Sequence, residues 1–258
     1  TTAATVNGGS VAALGSDSVT LSGASATFAN KNVGTAKAVT TSYALSGTDS
    51  GNYTLVQASG LTADITAKAL TVSYAASNKV YDATTATTVS GSSSDVIGSD
   101  VVTFSQSAAF TNKNVGTGKT VNVTGINLGG ADAGNYSLQN TTATTTANIT
   151  VKALTAAYTG SHKVYDALTG ATVFGSSNDV IGSDVVTFSQ SAAFANKNVG
   201  TGKTVNVTGI SLGGTDAGNY SLQNTTASAT ADISRASLTV TGTTASNKVY
   251  DATTAATV

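Results

Sequence analysis

The sequence predicts an all-β chain built from tandem β-sandwich repeats. Three observations carry that prediction. First, a five-residue stretch recurs as Asp49-Ser50-Gly51-Asn52-Tyr53, Asp132-Ala133-Gly134-Asn135-Tyr136 and Asp216-Ala217-Gly218-Asn219-Tyr220. Its tyrosines lie 83 and 84 residues apart (136 − 53 and 220 − 136), so one folded unit of about 84 residues is being copied. Second, Thr, Val, Ser, Ala, Gly and Asn dominate, every acidic residue is Asp, and Arg235 is the single arginine. Thr and Val favour strands, Gly, Asn and Asp favour turns, and the helix formers Glu, Met and Arg are nearly missing. Third, apolar residues alternate within short segments, and turn residues separate those segments.

One complete repeat spans about 67–150. Its first strand is expected over 69–74, with Leu70, Val72 and Tyr74 on one face. Asn78-Lys79-Val80-Tyr81-Asp82-Ala83 follows, and its Tyr-Asp pair recurs at Tyr165-Asp166 and Tyr250-Asp251. Thr87-Thr88-Val89 leads into an expected turn at 91–94. The longest strand signal runs from Val101 through Phe104 to Phe110. Residues 112–118 read as a turn, repeated at 30–35 and 196–202. From Lys119 onward Val121 and Val123 face inward, until Gly125 shifts the phase to Ile126 and Leu128. The first repeat lacks one residue at this point, which reads as an optional bulge. Tyr136-Ser137-Leu138 and Ala147-Asn148-Ile149-Thr150 close the unit.

About seven short strands at this spacing indicate an immunoglobulin-like sandwich, with a β-grasp-like unit containing one short helix as the alternative. In immunoglobulin-like sandwiches a similar Asp-x-Gly-x-Tyr pattern forms a corner whose tyrosine hydroxyl returns to upstream backbone. Asp132, Gly134, Asn135 and Tyr136 take that structural role here, as do their copies Asp49, Gly51, Asn52 and Tyr53, and Asp216, Gly218, Asn219 and Tyr220. Tyr74, Tyr158 and the Tyr81 set fit alternating core positions.

The expected organisation is 1–66, a repeat lacking its first strands; 67–150 and 151–234, two complete repeats; and 235–258, the start of a further one. Thr1–Val6 and residues 253–258 have the same sequence, so the segment begins and ends at one phase of the repeat. It reads as a window from a longer array, or as a chain whose C-terminal piece completes a neighbouring molecule by strand addition. The linkers are two or three polar residues without Pro, which favours a stiff rod.

Of the 258 residues, 10% are charged, against about 25% in ordinary domains. A net charge of −1 gives no electrostatic drive toward nucleic acid. No apolar run approaches the roughly 20 residues of a membrane span, so no membrane insertion is expected. The chain has no Cys, hence no disulfides or thiolate sites.

Candidate chemistry is sparse. Gly116-Thr117-Gly118-Lys119-Thr120 looks like a phosphate loop, but Lys113 stands where that loop needs glycine. His162, the single histidine, matches Asn78 and Asn247 and reads as surface filler. The acids Asp17, Asp100 and Asp184, the Asp82 set and the Asp132 set read as turn residues capping their own backbone. No Asp-x-Asp-x-Asp run occurs, so no cofactor is expected, and calcium at a junction between repeats is the one open metal reading. No repeated acid/base pair supports an enzyme; the repeated titratable groups read as turn Asp and solvated Lys.

The ordered set Lys79-Val80-Tyr81-Asp82-Ala83, Asn112-Lys113-Asn114-Val115-Gly116-Thr117-Gly118-Lys119 and Asp132 to Tyr136 resembles the YDG-type repeat of large secreted bacterial adhesins of the filamentous-haemagglutinin-like class. Ala83, Ala167 and Ala252 stand where that family has its name-giving glycine, which argues against a positive-φ turn there. The resemblance implies an extracellular stalk or fibre segment at the bacterial surface, acting as a spacer in adhesion or biofilm matrix. Its expected partners are neighbouring repeats or copies of itself. Extracellular polysaccharide is the partner if the repeats themselves bind. A self-assembling filament is a further alternative.

Overall fold

The computed structural model describes residues 1–256. It is all-β: strands alternate with three short 3-10 turns, and no α-helix occurs among the described residues. The helix required by the β-grasp alternative is therefore absent from them. Contacts divide the chain into two compact units. One holds Thr1–Asn78, Thr85–Thr111 and Gly118–Asn148; the other holds Lys79–Thr84, Asn112–Thr117 and residues 149 onward. These units cut across the sequence repeats, because two loops of the second repeat belong with the third.

In the first unit, Thr103–Phe110, Gly116–Gly129 and Thr142–Thr150 lie side by side, with residues 116–117 and 149–150 counted in the second unit. Two ribbons face them. Lys68–Leu70 runs parallel to Tyr136–Leu138, and Ser73–Ala76 is antiparallel to Val89–Ser92. The core between the layers holds Leu70, Val72, Val123, Ile126 and Tyr136, with Tyr74, Phe104 and Leu128 packed against it. Leu70, Val72 and Tyr74 do share a face, although the strand breaks at residues 71–72. There the amide of Asn140 clamps the backbone, accepting from the Val72 N–H at 2.9 Å and donating to its carbonyl at 3.0 Å. That bond satisfies backbone groups left without a ladder partner.

The second unit repeats the plan. Its sheet runs Lys163–Val164, Thr226–Ser234, Gly200–Gly213, Thr187–Phe194, over a core of Val173, Phe194, Val205, Val207, Ile210 and Ile233. The first repeat has a four-stranded sheet, Ala3–Ala4, Thr20–Phe28, Gly34–Ser46, Thr62–Ile65.

Three local expectations need correction. Residues 91–92 are strand, not turn. A Cβ on Gly91 would meet Tyr74 Cε1 at 2.8 Å, so glycine lets the ring lie flat on the strand. The bulge is not optional: after Thr124 the register slips with the extra residue on Gly116–Gly129, whereas in the first repeat it slips between Ser22 and Ser25 on the partner strand. The deletion in one strand is matched by an insertion in its neighbour. Third, Ala83, Ala167 and Ala252 adopt φ of 62°, 68° and 57°. The alanine substitution leaves the left-handed turn in place, at a steric cost that glycine would not carry.

Candidate functional site

The repeated motifs converge on one structure, a joint at which the loops of one repeat seat on the next. Within the second unit, residues 112–117 and 79–84 of the second repeat meet Asp184, Asp216, Asn219 and Tyr220 of the third. Lys113 Nζ lies 2.6 Å from Asp184 Oδ1 and 3.4 Å from Asp216 Oδ1. The Val115 N–H donates to Asn219 Oδ1 at 2.9 Å. Tyr81, only 2% exposed, donates its hydroxyl to Asp184 Oδ2 at 2.7 Å. Its ring meets Tyr220 edge-on, with centroids 5.6 Å apart, and Lys113 Nζ stands 5.8 Å from the Tyr81 centroid. Edge-to-face rings and an ammonium beside a ring are both favourable geometries.

The Asp-x-Gly-Asn-Tyr stretch provides the seat. Its first three residues after Asp216 form a 3-10 turn, Ala217–Asn219, which ends at Tyr220 in extended conformation. The Tyr220 hydroxyl accepts from the Ile181 N–H at 2.9 Å and donates to Asp184 Oδ2 at 2.7 Å. Asp216 Oδ2 accepts from the Val185 N–H at 2.9 Å. The tyrosine thus returns to backbone 39 residues upstream and also orients the carboxylate that receives the incoming loop. Gly214, with φ 96°, lets the chain turn there; a Cβ on it would sit 2.3 Å from the Val185 carbonyl oxygen.

The first unit contains the same joint between repeats one and two. Lys31 Nζ reaches Asp100 Oδ1 at 2.5 Å and Asp132 Oδ1 at 3.1 Å, and the Val33 N–H donates to Asn135 Oδ1 at 2.9 Å. Tyr136 accepts from the Ile97 N–H and donates to Asp100 Oδ2. In repeat one, Tyr53 accepts from the Leu14 N–H and donates to Asp17 Oδ2, so that seat has formed as well.

Electrostatics follow from these contacts. The Lys113 pKa is raised, chiefly by its hydrogen bond to Asp184 and then by Tyr81. Burial works to raise the Asp184 pKa, but hydrogen bonds from Lys113, Tyr220 and Tyr81 outweigh it and hold the carboxyl below its usual range. Burial first, and the Asp184 carboxylate besides, push Tyr220 up to about 12. The side chain of Asp184 is 1% exposed, so an unpaired charge there would be costly.

The Tyr-Asp segment has its own internal order. Lys79 Nζ bonds Asp82 Oδ1 at 2.7 Å and the Thr84 carbonyl at 2.8 Å, and the Thr84 N–H returns to Asp82 Oδ1 at 2.9 Å. Lys163 with Asp166, and Lys248 with Asp251, repeat this at 2.8 Å. The segment is a preformed hook whose tyrosine precedes the left-handed alanine.

Several roles were missed in the sequence. Lys31 and Lys113 are not solvated turn residues but ion-paired anchors, and Asp100 and Asp184 do not simply cap their own turns. The signal was present, since Asn-Lys-Asn-Val-Gly-Thr is identical in the three repeats while the residues on either side of it vary, Ala29 against Thr111 and Ala36 against Gly118. His162 is not filler: its Nδ1 accepts from the Asp232 N–H at 2.8 Å, as Asn78 Oδ1 accepts from Asn148 at 2.7 Å. The phosphate-loop lookalike begins a strand, Gly116–Gly129. The cation between each paired set of carboxylates in the two joints is a lysine. Among the described residues, no group of three or more His, Cys, Asp or Glu side chains is placed to hold a metal.

No helix among the described residues is long and apolar enough to cross a membrane. No curated protein and no solved structure matches the chain. The sequence profile of the YDG domain matches residues 1–60, 66–147 and 145–228. Seat and loop thus recur within three copies of one profile that together span most of the sequence, and the chain belongs to the YDG domain family.

Proposed function

We propose that the chain is a structural repeat segment of an extracellular bacterial adhesin or fibre, a non-enzymatic spacer that holds a more distal part away from the cell surface. The observation that carries this reading is the joint. The tip of one repeat is seated on the next through Lys113 between two aspartates, a buried Tyr81 and the Val115–Asn219 bond. Combined with linkers as short as Val151, between strands Thr142–Thr150 and Lys152–Leu154, such joints resist bending. In the two joints the lysine, both aspartates, the asparagine and the tyrosine of the repeated motifs are all engaged in these contacts, which favours a mechanical role over a catalytic one. The few charges and many hydroxyls keep the remaining surface hydrated without strong attraction for any one partner.

Small-angle scattering of the full chain tests the reading. A rigid, elongated particle whose profile is unchanged between low and high salt is expected; the scattering of a flexible string would overturn it. Reproducible binding to a glycan array would instead favour repeats that bind polysaccharide themselves.

A further inference from the structure

The third repeat is threaded along its length. Gly200–Gly213 spans it. Gly200 stands opposite Ile233 at the tip, where Ile233 also pairs with Lys163 of the hook. At the other end Gly213 leads into Gly214 and the seat at Asp216. The chain enters at the seat, with Lys152 opposite Tyr220, and reaches the tip at Lys163. It also leaves at the tip, because Thr226–Ser234 runs from beside Thr208 to beside Gly200. The entering and the leaving strand therefore both run from seat to tip.

The entering strand, Lys152–Leu154, lies parallel to Tyr220–Leu222. Where that ladder stops, other bonds take over. The Leu154 carbonyl accepts from the Gln223 N–H at 2.8 Å, and the Thr155 N–H donates to Asp179 Oδ2 at 2.9 Å. The amide of Asn224 accepts from the Ala156 N–H at 2.8 Å and donates to its carbonyl at 3.0 Å. Leu154 and Ala156 are buried, so water has little access to replace these bonds. The leaving strand is flanked on both sides, by Gly200–Gly213 running antiparallel and by Lys163–Val164 running parallel. The Tyr165 N–H then donates to its last carbonyl, that of Ser234, at 2.9 Å. The second repeat has the same entry: Lys68 stands opposite Tyr136, the Thr71 N–H donates to Asp95 Oδ2 at 2.9 Å, and Asn140 clamps Val72.

We propose that the third repeat bears tension. Its entering strand with the Asn224 clamp, and its leaving strand between two neighbours, form a shear clamp that keeps the repeat folded while the chain is pulled lengthwise. Ladder bonds lie across the strands they join. A pull between Val151 and Arg235 slides each of these strands along its own axis, so all the bonds of a strand must stretch together. A pull across the strands opens the same bonds one after another. This role rests on the spacer reading, since only a chain fixed at one end and drawn at the other is loaded in this way.

Single-molecule force spectroscopy of the full chain tests this, with handles on paired cysteines, which the chain otherwise lacks. Val151→Cys with Arg235→Cys loads the third repeat from seat to tip. Val151→Cys with Ser183→Cys puts both handles at the seat end, beside Asp184, so the load crosses the strands. At one loading rate the first geometry is expected to rupture at roughly twice the force of the second or more, because forced unfolding follows the barrier of the step that is loaded. Asn224→Ala should lower the seat-to-tip force toward the crosswise one; the comparison of the two geometries stands even if that variant fails to fold. Equal forces in the two geometries, or a seat-to-tip force that a folded Asn224→Ala chain leaves unchanged, would each overturn the proposal. Only one repeat is stretched, so a flexible scattering profile would remove the spacer reading without altering this result.

Discussion

Tyr81 and Asp184 lie 103 residues apart in sequence and meet hydroxyl to carboxylate at 2.7 Å. The bond joins the hook of the second repeat to the seat of the third. Its acceptor is charged and its donor buried, the combination in which a lost partner costs most. Tyr81→Phe keeps the ring against Tyr220 and removes only that bond. It is expected to lower stability by about 1.5 kcal/mol in equilibrium unfolding. An unchanged unfolding midpoint would show that the ring contact alone seats the hook.

The joint also sets a pH window. Asp184 has its folded pKa lowered below the ordinary value of 3.8, so its contribution is complete above that value and is lost as pH falls through the lowered one. Lys113 is raised above 10.5 and Tyr220 is raised from 10.0 to about 12. Their contributions are complete below the ordinary values and are lost as pH rises through the folded ones. The melting temperature should therefore be flat from about pH 4 to about pH 10 and fall on either side. Asp184→Asn should flatten the acid limb; an acid limb of unchanged steepness would place the acid sensitivity elsewhere.

Ala83 and Ala167 hold left-handed backbone that costs an L residue about 1–2 kcal/mol, part of which glycine would lose again through its more flexible unfolded chain. Ala83→Gly or Ala167→Gly is expected to stabilise the protein by about 0.5–1 kcal/mol. Thermal unfolding decides, and a lower melting temperature would show that the turn is not strained.

Thr41 is 4% exposed, and its hydroxyl finds no partner. It occupies the place of the fully buried Val123 in the next repeat. Thr41→Val removes an unsatisfied polar group at nearly constant volume and should raise stability by about 1 kcal/mol. Destabilisation measured by calorimetry would mean the hydroxyl has a partner, such as a bound water.

The strands were legible because the signal for each is local. Leu70, Val72 and Tyr74 alternate, Val121 and Val123 alternate, and Gly125 marks the point where the phase changes. The all-β class followed from such segments. The joint was much less legible. Asp184 looks like any turn aspartate until the fold brings Lys113 to it across 71 residues. Ala83 misled for a related reason. A residue's intrinsic φ preference is a weak constraint when hydrogen bonds on both sides, here Lys79 to Asp82 and Thr84 to Asp82, impose the turn. The bulge misled because a deletion in one strand can be balanced by an insertion in its partner, and pairing is invisible in the one-dimensional sequence.

Two lysines of identical local sequence separate the joint from everything else in the fold. Lys113 sits between Asp184 and Asp216, while Lys197, at the same place in the next Asn-Lys-Asn-Val loop, has no carboxylate partner among the described residues. Thermal unfolding of Lys113→Ala beside Lys197→Ala therefore tests the central claim. If seated joints hold the repeats together, Lys113→Ala lowers the melting temperature by several degrees and Lys197→Ala leaves it unchanged. Equal effects of the two substitutions, or none from either, would contradict it.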